Sequence, residues 1–213
     1  MKSAGIIGAG IGGMSAAIRL AGSGYKVTVF EKNTSPGGKA GNIEFDGFRF
    51  DTGPSLLTMT DVLKELFESL GEDINAYLDI RKLDNLCKYF YSDGTVLNAY
   101  SDRDKYFDEA IRKMNVAKER LSAHSNYTKR IYNLTKDIFL FDSYKGMKSF
   151  LSFKSLKTLL QIRKIDSFRT IHEANASFFE DERLVQLYDR YATYNGSNPY
   201  SAPATLNLIS HVE

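Results

Sequence analysis

The spacing of apolar and polar residues changes character twice along this chain. Near the start, a short apolar strand (Ile6, Ile7) runs into the glycine-rich Gly8-Ala9-Gly10-Ile11-Gly12-Gly13. Small and apolar residues then recur at helical spacing (Ala16, Ala17, Leu20, Ala21) before an alternating stretch, Val27-Thr28-Val29-Phe30, that ends on Glu31. This pattern predicts a strand–helix–strand unit. Period-two alternation returns in Asn42 to Phe45 and in Phe48 to Asp51. The Asp46-Gly47 pair between them predicts a hairpin. Asp51-Thr52-Gly53-Pro54-Ser55 breaks the rhythm, and a helix is expected over about 61–70, stopped by Gly71. Residues 78–99 read as short strands with a turn at Ser92-Asp93-Gly94. From Arg103 the periodicity is helical, with helices expected over about 103–121, 126–140, 155–164, 167–178 and 181–193 and a break at 195–199.

These elements predict an α/β fold. A Rossmann-like βαβ unit in residues 1–75 is followed by a mainly helical domain with a few strands in residues 76–213. A two-stranded parallel sheet leaves much of its surface uncovered. Further strands are therefore expected outside this chain, which ends inside an apolar helical run (Leu206, Leu208, Ile209) and reads as the N-terminal part of a longer protein.

Composition narrows the chemistry. Lysine plus arginine (28) nearly balance aspartate plus glutamate (26), so net charge gives no reason to expect a nucleic-acid partner. A single cysteine, Cys87, excludes an intrachain disulfide framework and a Cys-rich metal site, and no metal is expected. No run approaches the roughly 20 apolar residues that a membrane span needs. The strand beginning almost at Met1 leaves no room for a signal peptide, and a cytoplasmic protein is expected.

Gly8, Gly10 and Gly13 fit the G-x-G-x-x-G spacing. In that motif the first glycine makes the tight turn, the second lets backbone approach a pyrophosphate, and the third lets helix and strand pack closely. The phosphates then meet the free N–H groups and positive end of the helix. Glu31 stands about 20 residues on, where an acid accepts hydrogen bonds from ribose hydroxyls. Its charge would repel a 2′-phosphate, so NADP is disfavoured and FAD or NAD remains.

The stretch from Gly8 to Ser55 resembles the flavin-binding start of the phytoene desaturase group of carotenoid desaturases. The resemblance is carried by the glycine motif, Ala17, Leu20, Gly24, Val27, Val29, Glu31, Gly37-Gly38 and Asp51-Thr52-Gly53-Pro54-Ser55. Position 39 is more often arginine in that group; Lys39 keeps the charge and loses the fork geometry. A second block, Tyr194-Asn195-Gly196-Ser197-Asn198-Pro199-Tyr200 with Ala202-Pro203-Ala204-Thr205, is similar to a segment of the same enzymes, most like those acting on hydroxylated carotenoids. The resemblance implies FAD, held by Gly8, Gly10, Ile11, Gly12, Gly13, Glu31, Lys32, Gly38, Lys39, Asp51, Gly53, Pro54 and Ser55. It implies a desaturase that removes two hydrogens from a bond flanking a polyene, with FAD as hydride acceptor. The electron acceptor downstream of FAD is left open, and no catalytic side chain is named. His124, His172 and His211 are scattered and read as surface or helix residues. The alternatives are a flavin oxidoreductase of the amine oxidase or protoporphyrinogen oxidase type, and a non-catalytic flavin-binding module.

A carotenoid substrate resides in a bilayer, so peripheral contact with the inner face of the membrane is expected. Tyr144 to Ile171 is the candidate: Lys145, Lys148, Lys154, Lys157, Arg163, Lys164 and Arg169 stand against Asp166 alone, and Phe153, Leu156, Leu159 and Leu160 share a helical face. Such a basic amphipathic stretch can lie in the headgroup region.

Overall fold

The computed structural model describes residues 1–54, 56–139 and 162–213. Ser55 and most of the basic 144–171 stretch thus lie outside the described residues. The chain divides into two compact units, Met1–Ile80 and Arg81–Glu213.

In the first unit, strands β1 (Ser3–Ile7) and β2 (Lys26–Phe30) are joined by helix α1 (Ile11–Gly22). They pair in parallel, Ser3 opposite Lys26 through Ile7 opposite Phe30. A parallel pair needs a crossover of this kind. α1 half-covers the face carrying Ala4, Ile6 and Val27. The opposite face stays open, with Ile7 93% and Phe30 59% exposed. Strands β3 (Asn42–Phe45) and β4 (Phe48–Asp51) form the expected hairpin. Asp46 and Gly47 both adopt positive φ (50° and 79°), as a two-residue type I′ turn requires. Helix α2 (Thr60–Glu68) follows, with Leu66 buried; the chain then turns at Gly71 into a 3₁₀ segment, Ile74–Ala76.

The second unit holds an antiparallel pair, β5 (Asn85–Phe90) and β6 (Val96–Tyr100), then α3 (Arg103–Lys113) and α4 (Lys118–Phe139). After the 3₁₀ segment Ile162–Ile165 come α5 (Ile171–Phe178), α6 (Glu182–Asp189) and the short α7 (Ile209–Val212). Leu97, Phe107, Ala110, Leu121, Phe179, Leu184 and Tyr188 are among the residues of its main core. A second cluster gathers Tyr127, Ile131, Ile165, Ala174 and Ala204. Cys87 is half-buried in β5 with a free thiol.

Several helix expectations are corrected. The stretch 103–121 is not one helix: Met114 turns extended (φ −120°, ψ 149°), and the Asn115 N–H leaves the helical ladder for the Asp181 carboxylate at 3.2 Å. α4 consequently starts at Lys118, eight residues before the expected position. The helix expected over 167–178 begins at Ile171, because Asp166 is left-handed (φ 54°) and Thr170 with Glu173 forms a capping box. Of the helix expected over 155–164, residues 155–161 lie outside the described residues, and 162–165 are 3₁₀.

Candidate dinucleotide-binding site

The site in the first unit is built almost wholly from backbone. The chain leaves β1 at Ile7 and turns at Gly8, whose φ of 96° favours glycine, while the Gly8 N–H bonds the Phe30 carbonyl at 2.7 Å. Gly10 caps α1, and the first intrahelical bond runs from the Met14 N–H to the Gly10 carbonyl at 2.9 Å. The N–H groups of Ile11, Gly12 and Gly13 therefore have no acceptor within the helix. No side chain caps this end, and its first turn carries no acidic residue. A Cβ on Gly12 would meet nothing within 4 Å, so the space before these donors is open. Gly13 must lack a side chain, because a Cβ there would run into the Gly8 carbonyl oxygen.

Two further segments close on this loop. The Gly37 N–H bonds the Ala9 carbonyl at 2.8 Å, bridging Gly10 to Gly37 in parallel, and a Cβ on Gly38 would stand 3.1 Å from the Gly10 Cα. The turn after β4 joins next: the Thr52 N–H bonds the Gly41 carbonyl at 2.9 Å, and Gly53 sits so close on the Lys39 carbonyl that no Cβ fits. Three glycine blocks separated by up to 40 residues thus share one small region. Lys32, Lys39, Asp51 and Pro54, also expected at the cofactor, are exposed.

Glu31, just past β2, binds differently from the simplest expectation. One carboxylate oxygen accepts the Ala9 N–H at 2.7 Å and the other the Asn33 N–H at 2.8 Å. These backbone donors, Asn33 first and then Ala9, hold the carboxyl below its usual range, so it is charged at neutral pH. Each oxygen keeps a second lone-pair direction for a ribose hydroxyl. Free donors at the helix end, the open space at Gly12 and a charged acceptor at Glu31 together fit an ADP-type group.

A second polar feature, in the other unit, escaped the sequence reading. His172 Nδ1 lies 2.7 Å from the Asp189 carboxylate, whose other oxygen accepts the Asn175 amide at 2.9 Å; the Asn175 carbonyl oxygen is 3.2 Å from His124 Nε2. The residues from Tyr194 to Thr205 pack beside this chain. The Tyr200 ring lies against His172, tilted by 40° with centroids 4.4 Å apart, and the Ile171 N–H bonds the Ala202 carbonyl at 2.9 Å. The available signal was spacing: His124, Tyr127, Ile131 and Thr135 fall on one face of α4, and all four are buried.

Comparison with known proteins agrees with this geometry. The family model of NAD(P)-binding Rossmann-like domains matches residues 6–70. Over its full 213 residues the chain is 38% identical to a 1-hydroxycarotenoid 3,4-desaturase of a Flavobacterium species, covering 43% of that protein. This chain is similar to carotenoid desaturases and oxygenases along almost its whole length. It is 33% identical over 209 residues to a 4,4'-diapolycopene oxygenase of a Methylomonas species, and 33% over 210 residues to a 4,4'-diaponeurosporene oxygenase of Staphylococcus aureus. Each of those two matches covers 98% of this chain and 41% of the relative. The chain thus spans about two-fifths of the length of the desaturases and oxygenases it matches. Among solved structures, wild-type putrescine oxidase is similar at a TM-score of 0.57 and 16% identity, over 99% of this chain and 43% of that one, which establishes a shared fold.

Proposed function

We propose that this chain is the FAD-binding part of a carotenoid desaturase that introduces a carbon–carbon double bond into a polyene. The observation that carries the reading is the convergence of the Gly37-Gly38 pair and the Gly53 turn on the helix-end cradle. A simple NAD site needs only the first loop and Glu31; the additional close backbone approaches suit a longer cofactor. Ile11, Gly12 and Gly13 would offer N–H groups to the pyrophosphate, Glu31 would hold the ribose, and the 51–55 turn would border the far end of the cofactor. Bound FAD would supply the hydride acceptor. The desaturase reading is preferred to the oxygenase one because the desaturase relative is 38% identical and the oxygenases 33%.

In this reading residues 1–75 bind the cofactor and 76–213 serve substrate and membrane. The basic 144–171 stretch would rest on the cytoplasmic leaflet, its lysines near anionic headgroups. No helix among the described residues is long and apolar enough to cross a membrane. The test is purification of the full-length protein, followed by assay on carotenoid embedded in liposomes. We expect a yellow flavoprotein that converts the carotenoid to a more conjugated product, and NAD in place of flavin would overturn the cofactor assignment. Reversing Lys154, Lys157, Arg163 and Lys164 to glutamate should reduce liposome binding and turnover and leave flavin content unchanged. Unaltered liposome binding would remove the membrane role from this segment.

A further inference from the structure

From the end of α6 into the 3₁₀ segment that follows it, Arg190–Asn195, tyrosine recurs at every third residue: Tyr188, Tyr191 and Tyr194. Side chains at i and i+3 eclipse in a 3₁₀ turn, so this spacing lays ring on ring. The centroids of Tyr188 and Tyr191 are 6.3 Å apart with the planes at 29°, and those of Tyr191 and Tyr194 are 6.0 Å apart at 28°. At the inner end the Tyr188 hydroxyl meets that of Tyr106 at 3.2 Å. Tyr106, Tyr188 and Tyr191 also border a cavity of about 210 Å³. The file thus runs from core to surface: Tyr188 and Tyr191 are buried, and Tyr194 is 52% exposed.

The two ends handle a proton differently. The Tyr194 hydroxyl donates to the Glu213 carboxylate at 2.6 Å, an ionisable acceptor in place for the phenolic proton. In the Tyr106–Tyr188 pair both partners are neutral hydroxyls. The Arg190 guanidinium stands 4.6 Å from the Tyr191 centroid and 5.9 Å from that of Tyr194. A positive charge left on a buried ring is costly, and this guanidinium raises the cost at Tyr191. An oxidising equivalent in the file therefore settles at Tyr194, where the proton leaves with the electron. Packing alone would be met by phenylalanine, which has no hydroxyl to desolvate and whose ring resists one-electron oxidation.

We propose that Tyr188, Tyr191 and Tyr194 form a relay that carries oxidising equivalents from the core of the second unit to its surface. The oxidant is an organic peroxyl radical, ROO•. It takes one electron from the inner end of the file and one proton from water, and leaves as the hydroperoxide ROOH. The electron is replaced ring by ring from outside until Tyr194 has lost one. Its proton passes to Glu213, and a neutral tyrosyl radical remains. A soluble thiol or ascorbate then returns an electron, Glu213 returns the proton, and the proton shed by the reductant neutralises the hydroxide left by water. The relay is independent of the desaturase reading and uses no flavin.

The test exposes the full-length protein to peroxyl radicals from a lipophilic azo initiator in the presence of a nitroso spin trap, and peptide mass spectrometry locates the adducts. Tyr77 is the internal control: it is 60% exposed and its hydroxyl donates to the Glu72 carboxylate at 2.9 Å, but its ring lies against Phe67. Tyr194 should carry several-fold more adduct than Tyr77. Tyr191→Phe keeps the ring and interrupts the relay, so adduct at Tyr194 should fall to the Tyr77 level while oxidation appears at Tyr106 and Tyr188. Adduct at Tyr194 that survives Tyr191→Phe, or that merely matches Tyr77 in the unaltered protein, would overturn the proposal. Should Tyr191→Phe fail to fold or alter the iodination of Tyr194, which reads access alone, Tyr194→Phe decides. Oxidation at Tyr188 and Tyr191 should then rise, and unchanged inner tyrosines would overturn the relay. Flavin content and turnover do not enter these measurements, so the relay and the desaturase reading can each fail without the other.

Discussion

A methyl group added at Gly53 would overlap the Lys39 carbonyl oxygen, whereas one added at Gly12 would meet nothing within 4 Å. These two glycines therefore answer to different demands, the first to the packing of the protein itself and the second to the space before the helix end. Gly53→Ala should push the turn after β4 away from the second glycine pair, destabilise the first unit by about 1–3 kcal/mol, and weaken the cofactor. Gly12→Ala should leave stability within about 1 kcal/mol of the parent. Thermal melts and flavin content of the two full-length variants check the contrast. Gly13 and Gly53 were legible in the sequence because steric exclusion leaves no other residue to fill such positions. The bond from Ala9 to Glu31 was not: the ribose role is written in the spacing, and the carboxylate's hold on the loop depends on where Asn33 and Ala9 point.

At the scale of elements, local chemistry decides some boundaries and distant contacts decide others. Thr170 caps α5 through the Glu173 N–H at 3.1 Å, and Glu173 returns the bond to the Thr170 N–H at 2.8 Å. Thr170→Ala should cost about 1 kcal/mol, read from urea unfolding midpoints, while Thr170→Ser should cost little. The Asp46-Gly47 turn was equally legible, since its backbone demands residues that tolerate positive φ. The end of α3 was not. Met114-Asn115-Val116-Ala117 contains neither glycine nor proline, and the helix stops where Asp181, 66 residues away in sequence, accepts the Asn115 N–H. The polar chain from His172 to His124 was missed for the same reason, because its members come from three helices and only folding brings them together.

For the molecule as a whole, the buried imidazole of His124 couples stability to acidity. Its pKa in the folded protein is lowered to about 4 by burial, against about 6.5 when exposed. The unfolded chain thus binds a proton between these values that the folded one does not, so stability is complete above pH 6.5 and declines as pH falls toward 4. His124→Phe should flatten that part of the curve, as equilibrium unfolding of the full-length protein at several pH values would record. Arg183 brings a different consequence. Its guanidinium donates to Asp93 at 2.6 Å and Thr95 at 2.8 Å at the β5–β6 tip, and at 2.9 Å to Asp181, the cap of α6; its carbonyl accepts the Tyr91 hydroxyl at 3.1 Å. That hairpin tip cannot fray without releasing a helix start 90 residues away. The tip amides of Tyr91 and Gly94 should accordingly exchange with deuterium slowly, on the schedule of the second unit's cooperative opening. The β3–β4 ladder, every residue of which faces solvent, should exchange by its own brief local excursions.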